Sequence, residues 1–200
     1  MRKLVTLAAA TVAAASFAVP AFAQDGATFT GPRAEAVVGW DRVSDGSGQG
    51  SSSGVTYGGQ IGYDFQAGAA VFGVEGELTG STTDTRADDL LVAGDRLKVS
   101  AGRDLYVGGR LGFAVAPRAM IYAKAGYTNA RINTDYTVGT ATTSDHENLD
   151  GYRLGAGAEV KLSGKTYLKG EYRYSHYGDA RGYNIDLDRH QVLGGIGVRF

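Results

Sequence analysis

Cysteine is absent from this chain, which excludes a disulfide scaffold, thiol catalysis and a lipid anchor attached through a lipobox cysteine. Proline is scarce, at three residues. After the first two dozen residues no apolar run is long enough to cross a bilayer as a helix. An excess of either charge is missing too. Twenty Lys and Arg stand against 21 Asp and Glu, a net charge of −1, so nucleic acid is not an expected partner. What the chain has in quantity is glycine, 31 residues, and tyrosine, 12 residues. Glycine alone would suit a disordered chain, but disordered chains lack the regularly placed aromatic and β-branched residues found here.

The N-terminus has a purpose of its own. Met1, Arg2 and Lys3 are followed by an apolar, small-residue run from Leu4 to Val19 and by Ala21-Phe22-Ala23 before Gln24. That order predicts a secretory signal peptide over 1–23, its apolar stretch too short for a stable transmembrane helix. Cleavage would remove Arg2 and Lys3 and take the net charge from −1 to −3 (−1 − 2). Residues 24–200 are then expected to form one domain, with 24–32 as a lead-in.

Within that domain the polarity alternates with a period of two, which is the period of a strand. Eight strands are predicted: Ala34–Val43, Val55–Gln66, Ala70–Ser81, Arg103–Val115, Ala119–Asn133, Tyr152–Leu162, Thr166–Tyr177 and Arg189–Phe200. Tight connections fall near Gln66–Ala69, at Ala116–Arg118 and at Ser163–Lys165. Long polar ones fall at Ser44–Gly54, Thr82–Gly102, Thr134–Gly151 and Gly178–Asp188. Short and long connections take turns, as short periplasmic turns and longer outer loops do in transmembrane barrels. The expected fold is all-β, an eight-stranded antiparallel up-and-down transmembrane β-barrel with four longer extracellular loops.

The charges decide which face is which. In the segment Thr166–Tyr177, Leu168, Tyr172 and Tyr174 oppose Lys169, Glu171 and Arg173, and most other segments behave alike. Arg or Lys facing lipid costs about 2–4 kcal/mol at the bilayer midplane, so the charged phase is the interior. A soluble barrel would show the reverse polarity. Interior acids are predicted at Glu35, Asp41, Asp64, Glu75, Glu77, Asp104, Glu159 and Glu171, and bases at Arg110, Lys124, Arg153, Lys161, Lys169, Arg173 and Arg199. Eight strands leave a bore that side chains fill. Eight acids against seven bases then predict a paired core, centred on Glu75, Glu77, Arg110, Lys124, Arg153, Glu159, Lys169, Glu171 and Arg173. Glycines share that inner phase, either as room for long side chains or as coiling points. Arg131 breaks the phase of its strand, which suggests a bulge or the membrane edge. Arg42 and Arg103 fall outward at segment ends, at headgroup level.

The last ten residues, QVLGGIGVRF, place Val192, Ile196, Val198 and Phe200 on one face. This ending resembles the C-terminal signal that hands bacterial outer-membrane barrels to their insertion machinery, with Ile196, Val198 and Phe200 as the assembly signal. The stretches GGQIGYDFQ (58–66), VFGVEGELTGS (71–81), GGRLGFA (108–114), YAKAGY (122–127) and GEYRYSHYG (170–178) resemble the small outer-membrane porin-family barrels of alphaproteobacteria, which are similar to the OmpA transmembrane domain. The resemblance implies residence in the outer membrane and a role in envelope integrity or surface interaction, with no specific reaction. No peptidoglycan-binding domain follows the barrel, so wall tethering is not expected.

Other chemistry is weakly supported. Ser175 and His176 are adjacent in a strand and point to opposite faces, so they cannot pair as nucleophile and base. His176 is expected at the membrane interface, between Tyr174 and Tyr177. Asp145, His146, Glu147 and Asp150 match no established metal spacing. Leu90-Leu91-Val92, among the acids Asp84, Asp88, Asp89 and Asp95, suggests a small adhesive surface or, as the preferred reading, a strand extension beyond the membrane, and Asp179, Asp186 and Asp188 read as solvated turn formers. The expected function is a monomeric structural or surface-interaction barrel with a plugged lumen. A narrow porin for ions or small solutes is the alternative, and an outer-leaflet lipid-modifying enzyme follows it. The expected partners are outer-membrane lipid and lipopolysaccharide, the insertion machinery and a ligand taken through the loops. No cofactor is expected.

Overall fold

The computed structural model describes residues 28–45, 51–88, 95–139, 141–178 and 187–200. The signal segment, Leu90–Val92, Asp89, Asp179 and Asp186 lie outside the described residues. The strands are β1 (Gly31–Asp45), β2 (Ser51–Ala67), β3 (Ala70–Ser81), β4 (Asp84–Asp88), β5 (Asp95–Ala116), β6 (Ala119–Val138), β7 (Ala141–Ser163), β8 (Thr166–Gly178) and β9 (Leu187–Arg199). Chain neighbours pair antiparallel, except β3 and β4. β1 pairs with β9 and β3 with β5, which closes eight strands into a ring and leaves β4 as an extra strand on the outer part of β5.

Turn chemistry fixes the periplasmic end. Gly68 (φ 62°) and Gly164 (φ 55°) occupy two-residue turns in the left-handed region, which side chains disfavour. The third turn holds Pro117, whose missing N–H is harmless outside the ladder.

The outer end differs from expectation. The segment Thr134–Gly151, read as a loop, is almost wholly strand: β6 and β7 stay paired out to Val138 and Ala141 and turn at Gly139. Within Thr82–Gly102, where a strand extension is the preferred reading, β4 and Arg96–Ser100 of β5 do form a ladder. About 9–11 tilted residues cross a bilayer. β6 has 20 and β7 has 23, so their outer halves stand above it as a ribbon. The irregularity suspected at Arg131 is a β-bulge carried by the partner strand: Ala101 pairs with Ile132 and Asp104 with Ala130, so Gly102 and Arg103 together oppose Arg131.

Outward positions are apolar and exposed, among them Ile61, Val74, Val107, Leu111, Ile121, Leu168 and Ile196. Trp40, Tyr57, Tyr127 and Tyr152 rim this band on the outer side, and Phe65, Phe72, Phe113 and Phe200 rim it on the periplasmic side. Tyr57 to Phe65 is eight steps, or about 20 Å along the membrane normal at a rise of ~3.3 Å and a tilt of ~40°. That approaches the apolar height of about 25 Å expected of outer-membrane barrels. Lys165 lies 5.6 Å from the Phe200 ring centroid, at the periplasmic edge.

Candidate functional site

The inward phase of all eight ring strands carries the chemistry. β1 supplies Arg33, Glu35 and Asp41. β2 supplies Asp64, β3 Glu75 and Glu77, β5 Asp104 and Arg110, and β6 Lys124. β7 supplies Arg153 and Glu159, β8 Lys169, Glu171 and Arg173, and β9 Arg189 and Arg199. All sixteen are buried. They form one connected set. At the outer end Arg189 binds Asp41 at 2.6 Å and Asp104 at 2.7 Å. Asp104 also meets Arg153, which reaches Glu77 at 3.0 Å. Glu77 meets Arg173, Arg173 meets Glu171, and Lys124 lies between Glu75 at 2.8 Å and Glu171 at 2.9 Å. Lys169 joins Glu171 at 3.4 Å to Glu35. Arg33 joins Glu35 and Glu75 to Asp64 at 3.2 Å. At the periplasmic end Arg110 and Arg199 bridge Asp64 and Glu159, with Arg199 to Glu159 at 2.7 Å.

The set holds eight acids and eight bases. All nine residues predicted for the centre of the network lie inside it: seven are linked directly to one another, and the Arg110–Glu159 pair joins them through Asp64 and Arg33. It adds Arg33 and Arg189, which the sequence reading did not assign, and it removes Lys161. That lysine is half-buried at the periplasmic end, where its Nζ donates to the Thr28 carbonyl at 3.1 Å. Arg33 shares the parity of Glu35, and Arg189 that of Gln191, so the signal existed. It was hidden because both sit at strand ends. Four tyrosines also point inward: Tyr106, Tyr122, Tyr167 and Tyr177. They supply ring faces and hydroxyls to the charges. Lys124 lies 4.7 Å from the Tyr106 centroid and Arg110 5.1 Å from that of Tyr122. The Tyr122 hydroxyl donates to Glu171 at 2.5 Å.

Glycine makes the room, and both expected roles occur. A Cβ at Gly73 would collide with Asp64 and lie 3.0 Å from Arg110 Cγ, and one at Gly62 would sit 2.9 Å from Arg33 Nη2. At Gly39 and Gly58 the obstacle is the neighbouring strand's backbone, with Leu193 Cα and Thr79 Cα each 2.7 Å away, a sign of tight coiling. Outward glycines such as Gly170 and Gly194 have open space.

Ser175 and His176 lie on opposite faces. Ser175 is buried, and its Oγ accepts from Arg153 Nε at 2.8 Å. His176 is on the outer surface, Nδ1 3.0 Å from Asp188 Oδ1 and its ring 5.3 Å from that of Tyr152. Its aromatic neighbour is therefore Tyr152, and Tyr177 faces the lumen. Asp188, expected to be a solvated turn former, instead also accepts from the Tyr174 hydroxyl at 2.7 Å. Among the described residues no three metal-ligating side chains converge. In the outer ribbon, Asp145 caps the His146 amide at 2.7 Å, and Asp150 accepts from Asn129 at 2.6 Å and from the Tyr127 hydroxyl. Tyr136, on the same ribbon, donates to Asp95 at 2.8 Å, which raises the pKa of its phenol.

Comparison with known proteins places this architecture. The profile of the outer membrane protein beta-barrel domain family matches residues 9–200. A 22 kDa outer membrane protein of Rhizobium leguminosarum bv. viciae is 32% identical over 153 residues, covering 72% of this chain and 66% of the relative. A 31 kDa outer-membrane immunogenic protein of Brucella melitensis is 27% identical over 164 residues, covering 75% and 68%. The chain thus spans about two thirds of the length of these relatives. Among solved structures, Neisserial surface protein A superposes with a TM-score of 0.60 at 15% identity, covering 86% of this chain and 98% of that one. Ail, the attachment invasion locus protein of Yersinia pestis, superposes with a TM-score of 0.52 at 15% identity, covering 86% and 99%. Eight antiparallel strands in a ring, an apolar outward band and a match along nearly the whole sequence show that the chain belongs to the outer membrane protein beta-barrel domain family and resides in the outer membrane.

Proposed function

We propose that this barrel is a structural and surface-interaction element of the envelope, with a lumen plugged by its own side chains, and neither a pore nor an enzyme. The observation that carries the reading is the continuous, charge-balanced set of buried ion pairs from Asp41 to Glu159. An ion entering the bore would have to separate pairs that hold one another in a poorly hydrated interior. The periplasmic end adds an apolar cluster of Phe29, Val71, Ala114, Met120 and Tyr122.

The surface role rests on the outer ribbon of β6–β7, where residues 141–148 are exposed and mostly polar, and on exposed Asp84 and Arg96 of the β4–β5 ladder. Ail, similar in fold, was solved in complex with the heparin analogue sucrose octasulfate, and presentation of the outer strands to a ligand is the use proposed for this chain. Outer-membrane lipid and lipopolysaccharide surround the barrel in this reading. The chain works as a monomer, and the Ile196, Val198 and Phe200 face, exposed on β9 and at the C-terminus, serves as the insertion signal. Planar-bilayer recording of the refolded protein tests the plug. No conductance steps are expected, and reproducible single-channel steps would refute it. Incubation with lipopolysaccharide is expected to release no acyl chain. Release that disappears in His176→Ala would make the protein an enzyme.

A further inference from the structure

Above the ion pairs, at the outer end of the barrel, the wall encloses a cavity of about 410 Å³. This lies within the size range of small-molecule sites, roughly 300–1,000 Å³. Its exposed wall surface is mostly apolar, from Val43, Val99, Ile132, Leu149 and Leu187 among others, with the hydroxyls of Ser44, Ser51, Ser52, Thr83 and Ser100 between them. Leu149 and Tyr177 are packed together there with Ala130, Ile132 and Leu187. Such walls suit a flexible hydrocarbon chain better than a planar ring, because they offer no aromatic face except Tyr177.

The charged groups on this cavity are Asp84, Arg103, Asp104, Arg131 and Arg189, and most are already engaged. Arg189 is bound by Asp41 and Asp104. Asp104 also accepts from Arg153, Thr128 and Tyr177. Arg131 donates to Asn148 at 3.3 Å, and Asp84 lies 4.0 Å from Lys98. Arg103 is the exception. Its Nη1 is buried and makes no hydrogen bond, and no carboxylate among the described residues lies within ion-pair distance of it. Gly102 and Arg103 together oppose Arg131 in the bulge, and Arg103 lines the cavity at the barrel rim. A buried guanidinium nitrogen without a partner is unfavourable, and a planar carboxylate is its natural complement.

We propose that the outer mouth binds a single-chain carboxylate amphiphile of medium length, a fatty-acid anion, with its head on Arg103 and its chain along Val43, Val99, Ile132 and Leu187. The site adjoins the plug, whose Asp104 and Arg189 form part of its lining, and the proposal stands whether or not the lumen conducts.

The test uses the full barrel in phosphatidylcholine nanodiscs, with carboxyl-labelled dodecanoate followed by carbon NMR and empty nanodiscs as the partition baseline. Wild type is expected to show one saturable site above that baseline. Arg103→Gln should weaken dodecanoate about tenfold, as loss of a hydrogen bond to a charged group does, and leave 1-dodecanol unchanged. Ile132→Asn should weaken both. A second comparison needs no variant: wild type should prefer dodecanoate to dodecylammonium about tenfold or more, by the same arithmetic. Binding no greater than that of empty discs, unchanged dodecanoate affinity in Arg103→Gln, or equal affinity for the two head groups would each overturn the proposal.

Discussion

Replacing Glu77 by Gln keeps the shape of the side chain and removes one of eight buried negative charges. Glu77 meets Arg153 at 3.0 Å, Arg173, and Lys124 at 3.7 Å, and its side chain is inaccessible to solvent. At 3.0 Å and an effective dielectric constant of about 20, one such attraction is worth about 5.5 kcal/mol before desolvation is subtracted. Breaking a buried pair from one side typically costs about 3–5 kcal/mol, because the partner charge is left uncompensated. Glu77→Gln is therefore expected to lose about 3–5 kcal/mol in reversible urea unfolding from lipid bilayers. Adding Arg173→Met restores the balance at seven against seven. Glu171 would still be held by Lys124 at 2.9 Å and Lys169 at 3.4 Å, so the double variant should recover more than half of the loss. A loss under about 1 kcal/mol, the size of an exposed pair, would refute the reasoning. So would additive losses in the double variant.

Three further outcomes follow from other parts of the molecule. Val74→Arg puts a cation on the mid-height lipid face, where Val74 is 66% exposed, and should cost about 2–4 kcal/mol in the same assay; a neutral result would place that face away from hydrocarbon. Gly73→Val should cost about 1–3 kcal/mol or more by driving a side chain into Asp64 and Arg110, whereas Gly170→Ala, with open space around it, should change stability by less than about 1 kcal/mol. Tyr136 should titrate above the free-tyrosine value of about 10 in a carbon-NMR titration, because its neutral hydroxyl donates to Asp95. A raised phenol pKa contributes stability that is complete below the unfolded value and fades as pH rises through the folded one. Tyr136→Phe should therefore show no such fading at high pH.

The ring of eight strands was legible because lipid outside and charge inside give each strand two unlike faces, and a period of two is hard to mistake. Parity assigned Glu75, Glu77, Arg110, Lys124, Arg153, Glu159, Lys169, Glu171 and Arg173 to the inner phase, and these side chains are buried. It failed at boundaries. Arg33 and Arg189 have the right parity but lie where strands were taken to begin, and Lys161 has it at a level where the bore already meets the periplasm. The inward tyrosines were harder to read, since tyrosine is also a girdle residue. Their signature is the glycine facing them, such as Gly108 and Gly126 beside Tyr106 or Gly157 beside Tyr122. The ribbon from Thr134 to Gly151 was illegible for a physical reason: above the membrane both faces are wet, so the alternation that marks a strand disappears. The bulge showed only in the broken phase of its partner strand at Arg131, and Gly102 and Arg103, which carry it, left no mark of their own.

The arrangement of oily wall and ionic filling is tested most directly by tryptophan depth. The native chain has one tryptophan, Trp40, on the outer rim of the lipid-facing band. In bilayers, lipids brominated near the headgroup should quench Trp40 best. In a Trp40→Phe background, Val74→Trp should be quenched best by lipids brominated deep in the chain, and iodide should reach neither site. Iodide quenching of tryptophan at position 74 with indifference to brominated chains would contradict the account.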